Sequence, residues 1–183
     1  MLCSDYPSVY RFYHSIVESV TADAGSILKT DCFNEAQGDP IIHGSLVHRT
    51  HLLEIDPETI KKAESRFPEL IIDAGDIRAL PYGDASVDLV IDMSTIDHVP
   101  STDYVQVLSE YDRVLSPWGR LLLVVWLNAG TDKMTMSAPR NQFYFPKRTF
   151  EGHVDNMFII NDTKHVFSQP GNRELYFYNV EKR

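Results

Sequence analysis

Val9, Phe12, Tyr13, Ile16, Val17 and Val20 recur at the three-then-four spacing of one helix face, which predicts a first helix that Gly25 is placed to end. Residues 26–31 (SILKTD) then read as a short strand, more polar at Lys29 than a central parallel strand usually is. Residues 32–48 carry no clear period. Residues 51–56 (HLLEID) form the next strand candidate. Asp56 stands as the N-cap of the helix that follows, Pro57 takes its first position and Glu58 its first turn. Ile60, Ala63 and Phe67 make the buried stripe of this helix, and Pro68 closes it. Strand patterns return at residues 69–73 and 87–93, separated by the turn Pro81-Tyr82-Gly83-Asp84.

Beyond Pro100, Ser101 is a candidate cap for a helix whose Tyr104, Val107, Leu108, Tyr111, Val114 and Leu115 share a face, ending at Pro117 and Gly119. Residues 120–127 (RLLLVVWL) are apolar at nearly every position, the composition of a strand covered on both faces. Phe150, Val154 and Met157 predict a further short helix, and residues 164–168 and 174–181 two antiparallel strands around Gln169-Pro170-Gly171-Asn172. Strands alternating with helices imply right-handed crossovers. The expected fold is therefore α/β: a doubly wound, mainly parallel, Rossmann-like sheet with a C-terminal antiparallel hairpin. At 183 residues it is expected as a single domain over 1–183. Ligands of such sheets collect beyond the carboxyl ends of the strands, where strand order reverses.

Charge narrows the partners. A formal net charge of -9 opposes strong binding to phosphate backbones, so no nucleic-acid partner is expected. No apolar run approaches a membrane span, so no membrane partner is expected either. Cys3 and Cys32 lack the number and spacing of a disulfide framework or a zinc site, and residues 1–12 lack the pattern of a secretory signal. These features favour a cytoplasmic protein. His43, His48 and His51 have no clear facial arrangement for a metal and read as solvated, so no metal is expected.

Several residues after the strands carry possible chemistry. Glu54, at the carboxyl end of the second strand, can accept both hydroxyl hydrogens of a ribose, or can be an exposed strand-end acid. Asp76, beside Gly75, can accept from an amino donor or close an Asx-turn. His98, with Asp92 and Asp97 near it in sequence, is the candidate general base, or a residue packing at the rim of a cleft. Phe143-Tyr144-Phe145 can clamp a planar substrate or pack under a lid, and the polar stretch 131–142 reads as a substrate-side lid.

Asp76-Ile77, Ala79-Leu80-Pro81-Tyr82, Asp84-Ala85-Ser86-Val87-Asp88-Leu89-Val90, His98-Val99 and the run from Glu110 to Arg120, together with EIDPE at 54–58, resemble class I S-adenosylmethionine-dependent methyltransferases over about residues 50–127. The resemblance implies S-adenosylmethionine as cofactor, with Glu54 on its ribose, Ile55 against its adenine, Asp76 and Ile77 on the adenine amino group and edge, and Asp92 and Met93, with Ser94, near its sulfonium. The family's first strand ends in an acid followed by a glycine-rich turn. Here residues 30–37 contain no glycine. Asp31 is then expected at the cofactor's ammonium, Asn34 in a left-handed turn, and Lys29 and Thr30 as possible contacts of its carboxylate. The implied activity is methyl transfer to a small-molecule acceptor; the alternative, motivated by the altered first turn, is a catalytically silent partner or regulatory protein. The Asn/Asp-Pro-Pro-Tyr motif of amino-methylating enzymes is replaced by Asp92-Met93-Ser94-Thr95. No periodicity speaks to oligomeric state.

Overall fold

A computed structural model describes residues 6–183; Cys3 and the first five of the residues read for a secretory signal lie outside the described residues. The first helix, α1 (Tyr6–Val20), buries the predicted face through Tyr13, Ile16, Val17 and Val20. It stops at Val20, short of Gly25. Gly25 instead donates its N–H to Asp88 Oδ2 at 3.0 Å, where a Cβ would crowd the same oxygen.

Five parallel strands follow the alternation: β1 (Ile27–Lys29), β2 (Thr50–Glu54), β3 (Ile71–Ala74), β4 (Val87–Met93) and β5 (Leu115–Asn128). Their spatial order is β3-β2-β1-β4-β5, so the chain winds outward from β1, returns to β4 beside it and winds the other way. The reversal between β1 and β4 makes their carboxyl ends the switch point of the sheet. Between β1 and β2, the stretch without a clear period contains a short helix, α2 (Phe33–Gln37), and a 3-10 segment (Gly44–Arg49). The helices α3 (Pro57–Arg66) and α4 (Tyr104–Val114) follow β2 and β4.

The apolar run of β5 is covered on both sides. Leu121, Leu123, Val125 and Leu127 join the core with α4, while Leu122, Val124 and Trp126 join the core with α1. A fully buried leucine is worth about 1.5–3 kcal/mol relative to exposure, which is why this strand anchors the sheet. On α3, only Ala63 is buried; Ile60 and Phe67 remain half-buried. The start of α4 falls at Tyr104 with no side-chain cap, so Ser101 does not serve as its N-cap.

The polar stretch expected as a lid is partly ordered. It holds β6 (Thr135–Ser137), paired antiparallel to β7 (Gln142–Pro146), which runs directly into α5 (Lys147–Met157). Phe145 is buried and stacks on Phe150 with ring centroids 5.5 Å apart, and Tyr144 is buried as well. The aromatic run is therefore packed into the core at these two positions and does not form an open clamp. The hairpin of β8 (Phe158–Gln169) and β9 (Arg173–Lys182) is longer than predicted, with β9 antiparallel to β5. Among the described residues no helix is long and apolar enough to cross a membrane.

Candidate active site

Register places the acids in a row. Lys29 pairs with Leu52 on β2 and with Ile91 on β4, so Asp31, Glu54 and Met93, each two residues further on, end their strands at one level. Glu54 in turn pairs with Ala74, which brings the turn carrying Asp76 to the same edge.

The turn after β1 is built by charge. Lys29 is fully buried, and its ammonium donates to the Asp31 carbonyl at 2.9 Å, to Asp31 Oδ1 at 3.0 Å and to Glu35 Oε2 at 3.0 Å. Burial alone depresses a lysine pKa, but the paired carboxylates of Asp31 and Glu35 more than offset it and leave Lys29 firmly cationic. Glu35, also fully buried, uses its other oxygen to accept the N–H groups of Ile41 and Ile42 at 3.1 and 3.3 Å. Asp31 Oδ1 caps Phe33 N at 2.9 Å and Asp31 Oδ2 accepts from Thr95 Oγ1 at 3.1 Å. Asn34 lies inside α2 and not in a left-handed turn, and Lys29 and Thr30 are both buried, facing protein partners. The late glycine, Gly38, has φ +86° and ends α2, where a Cβ would collide with the Arg66 guanidinium.

The turn after β2 holds itself together locally. Glu54 Oε1 accepts from Ile55 N at 2.9 Å and from Asp56 N at 3.0 Å, while Oε2 faces Cys32 N at 3.4 Å and so links the two strand ends. Ile55 is 65% exposed, an apolar side chain projecting at the site's edge. Asp56 caps α3 through Glu58 N and Thr59 N, as its sequence context predicts.

Asp76 and Ile77 open the turn after β3. Asp76 accepts Arg78 N at 2.8 Å, closing the turn, and is gripped by the Arg78 guanidinium through both oxygens, which holds its carboxyl below the usual range. Arg78 also reaches Asp103 at 3.0 Å. Ile77 is buried in the core with Leu53 and Leu80, so its side chain packs inward.

After β4, Asp92 lies fully beneath the surface. It accepts Tyr111 OH at 2.6 Å and the N–H groups of Thr95 and Ile96, and burial pushes its carboxyl up to about 7. Met93 is buried on the α1 side. Ser94 adopts φ +66°, a left-handed conformation rare for serine, which turns the chain sharply away from the strand. Asp97 is buried, accepts from Trp126 N at 3.0 Å, and burial raises its carboxyl well above the ordinary range. His98 remains half exposed, with Nδ1 2.9 Å from the Asn141 carbonyl and Nε2 3.6 Å from Asp97 Oδ1; burial lowers its pKa.

Asp31, Glu54 and Ile55 thus come together at one strand edge, while Asp92, Met93 and Ile77 lie beneath it and Asp76 is committed to Arg78. Sequence reasoning missed Glu35, Thr95, Arg78 and Tyr111. Their signals were slight: Glu35 and Arg78 read as charges among other polar residues, Thr95 as a polar residue past the fourth strand, and Tyr111 as one aromatic on a helix face. His51 lies at the other end of its strand, bonded to Asp73 at 2.7 Å beside a cavity of about 300 Å³ that also takes in Ser26, Tyr82 and Ser86.

The donor set fits a nucleoside bearing a cationic amino-acid arm. Carboxylates stand at the ends of β1 and β2, an exposed aliphatic side chain flanks them, and among the described residues the buried Asn34 Nδ2, in the helix that follows β1, has no hydrogen-bond partner. A sequence model described as a methyltransferase domain matches residues 39–123. A Mycolicibacterium smegmatis protein named as a probable S-adenosylmethionine-dependent methyltransferase is 31% identical over 157 residues, covering 81% of this chain. The chain belongs to the class I S-adenosylmethionine-dependent methyltransferase family.

This methyltransferase-family chain spans 58% of the length of that relative. The fold agrees with solved structures. The 1,6-didemethyltoxoflavin-N1-methyltransferase of Burkholderia thailandensis superposes with a TM-score of 0.73 at 17% identity, over 96% of this chain and 78% of its own. The N-methyltransferase NodS of Bradyrhizobium japonicum does so with 0.73 at 13% identity, over 97% and 98%. The match to the family's sequence model begins at residue 39, past the turn built around Lys29.

Proposed function

We propose that the protein transfers a methyl group from S-adenosylmethionine to a small-molecule acceptor. The observation that carries this reading is that Asp31 and Glu54 lie at one level beyond neighbouring strands beside the switch point, with Cys32 N donating to Glu54 between them. Glu54 keeps acceptor capacity for the two ribose hydroxyls, since each carboxylate oxygen has a second lone-pair site. Ile55 offers an apolar surface to a purine, and Asp31 offers a carboxylate to an ammonium. Asp76, held by Arg78, shapes the turn bordering the purine side; Asp92 and Met93 support the turn that faces the acceptor from below. When bound, the cofactor supplies an electrophilic methyl on a sulfonium.

The chain's remaining task is to orient the acceptor and exclude water, which together supply much of the rate in a displacement of this kind. His98 adds a proton site. With Nδ1 donating to the Asn141 carbonyl, its lone pair lies on Nε2, and its lowered pKa keeps the ring neutral at pH 7. It suits an acceptor hydroxyl that must lose a proton. The formal charge of -9 supports a small metabolite over nucleic acid.

Calorimetry with S-adenosylhomocysteine tests the reading. The expected result is micromolar binding that Glu54→Ala weakens by about tenfold or more, the loss of charge-assisted bonds to two hydroxyls. No heat and no thermal stabilisation at millimolar ligand overturns it.

A further inference from the structure

We propose that Lys29 is a positioning residue for the cofactor: its buried ammonium, held between Asp31 and Glu35, fixes the Asp31 carboxylate toward the amino-acid end of S-adenosylmethionine and replaces the glycine-rich turn. This rests on the function proposed above.

Lys29 occupies an inward position of β1, on the same face as Ile27, where an aliphatic side chain would cost nothing in desolvation. Its ammonium has three hydrogens, and three acceptors receive them at 2.9–3.0 Å. No donor is left for a ligand, so lysine cannot be the group that binds the cofactor's carboxylate. Its effect passes through Asp31. Lys29 and Phe33 N both engage Asp31 Oδ1, and this sets the rotation of the carboxylate. Oδ2 then meets Thr95 Oγ1 alone and keeps a lone pair, on a side chain that is still 14% exposed.

Glu35 fixes the lysine in turn. Its second oxygen is bonded to Ile41 N and Ile42 N, so the clamp ties β1, α2 and the chain beyond Gly38 into one unit. A glycine-rich turn gains its shape from backbone that tolerates left-handed conformations. This turn has helical backbone from Phe33 and gains its shape from the buried ions. One lysine against two carboxylates also leaves the unit with a single net negative charge, the complement of an ammonium.

The test uses the full chain with two probes: S-adenosylhomocysteine, which carries the amino-acid arm, and 5′-methylthioadenosine, which lacks it. Lys29→Met is compared with Lys29→Met/Glu35→Gln, which restores the wild-type net charge of the cluster and keeps an acceptor for Ile41 N and Ile42 N. The double variant is expected to recover most of the melting temperature lost by the single one. In both variants the Kd for S-adenosylhomocysteine is expected to rise about tenfold or more, the loss of one well-oriented charge-assisted bond, while that for 5′-methylthioadenosine stays within about twofold. Equal weakening of both probes, or wild-type affinity for S-adenosylhomocysteine in a folded variant, overturns the positioning role and leaves the proposed function standing. A wild-type chain that binds neither probe overturns both.

Discussion

The turns after β1 and β2 sit side by side at one edge of the sheet and both end in acids, yet they hold those acids in opposite ways. Glu54 and Asp56 rest chiefly on backbone N–H groups one to three residues away, near the surface, with Cys32 N as the longer, 3.4 Å contact of Glu54. Asp31 and Glu35 rest on an ammonium withdrawn from water, with Glu35 reaching Ile41 and Ile42 beyond the helix it belongs to. A carboxylate stabilised by its own turn can be removed with little consequence for the fold. One that neutralises a buried cation cannot, because its loss strands the partner in a low-dielectric interior. The two halves of the proposed cofactor site therefore differ in how far binding can be separated from stability.

The largest expected effect separates the turns directly. Glu35→Ala should cost about 3–5 kcal/mol in urea denaturation, leaving Lys29 short of a partner and two buried amides unpaired. Glu54→Ala should cost under about 1 kcal/mol, as for other surface charges. Similar costs for the two would remove the distinction.

Asp92 extends the buried type to the turn after β4. Burial raises its carboxyl to about 7 from an ordinary 3.8, with the Asp31 charge adding to the rise and Tyr111, Thr95 and Ile96 opposing it. Between these values the folded state keeps a proton that the unfolded chain has released, so wild-type stability should fall as pH rises from about 4 to 7. Asp92→Asn removes that titration. Relative to wild type it should gain at most about 4 kcal/mol across this window, read from denaturation midpoints at each pH. Parallel pH profiles for the two proteins would place Asp92 with the exposed acids.

The same contrast explains what the sequence made legible. Alternation of apolar periods predicted the five parallel strands and the hairpin because period and burial are both local properties. Asp56-Pro57 announced α3, since a cap is written within four residues. Lys29 was visible only as an oddity in a strand; its partner Glu35 lies in the stretch without a period, and nothing local says that an ammonium will be buried. Asp92 was placed by resemblance near the sulfonium, but its contact with Tyr111 spans nineteen residues and depends on how α4 packs. Arg78 took Asp76 for the same reason that its proximity, two residues on, was easy to overlook: the pair closes a turn already read as such.

Gly38→Ala probes the far end of the buried turn. Its φ of +86° and the Arg66 side chain over it both oppose a Cβ, and a cost of about 1–2 kcal/mol is expected from the left-handed backbone alone. Thermal melting measures it. A neutral substitution would show that α2 does not need its left-handed end to stay closed.

The smallest effect tests the exposed turn from within. Asp56 accepts from Thr59 N at 3.1 Å and Thr59 Oγ1 at 2.6 Å, so Asp56→Ala should lower Tm by roughly 2–4 °C, the usual consequence of losing an N-cap in a chain of this size. Affinity for S-adenosylhomocysteine should not change with it. The bond that orients Glu54 here comes from the backbone N–H of residue 56, which alanine retains. Capping and ribose binding are then separate jobs of neighbouring acids, one stabilising α3 and the other free for a ligand. If Asp56→Ala weakens S-adenosylhomocysteine as much as Glu54→Ala does, the two acids act as one unit, and the exposed turn is no more divisible than the buried turn beside it.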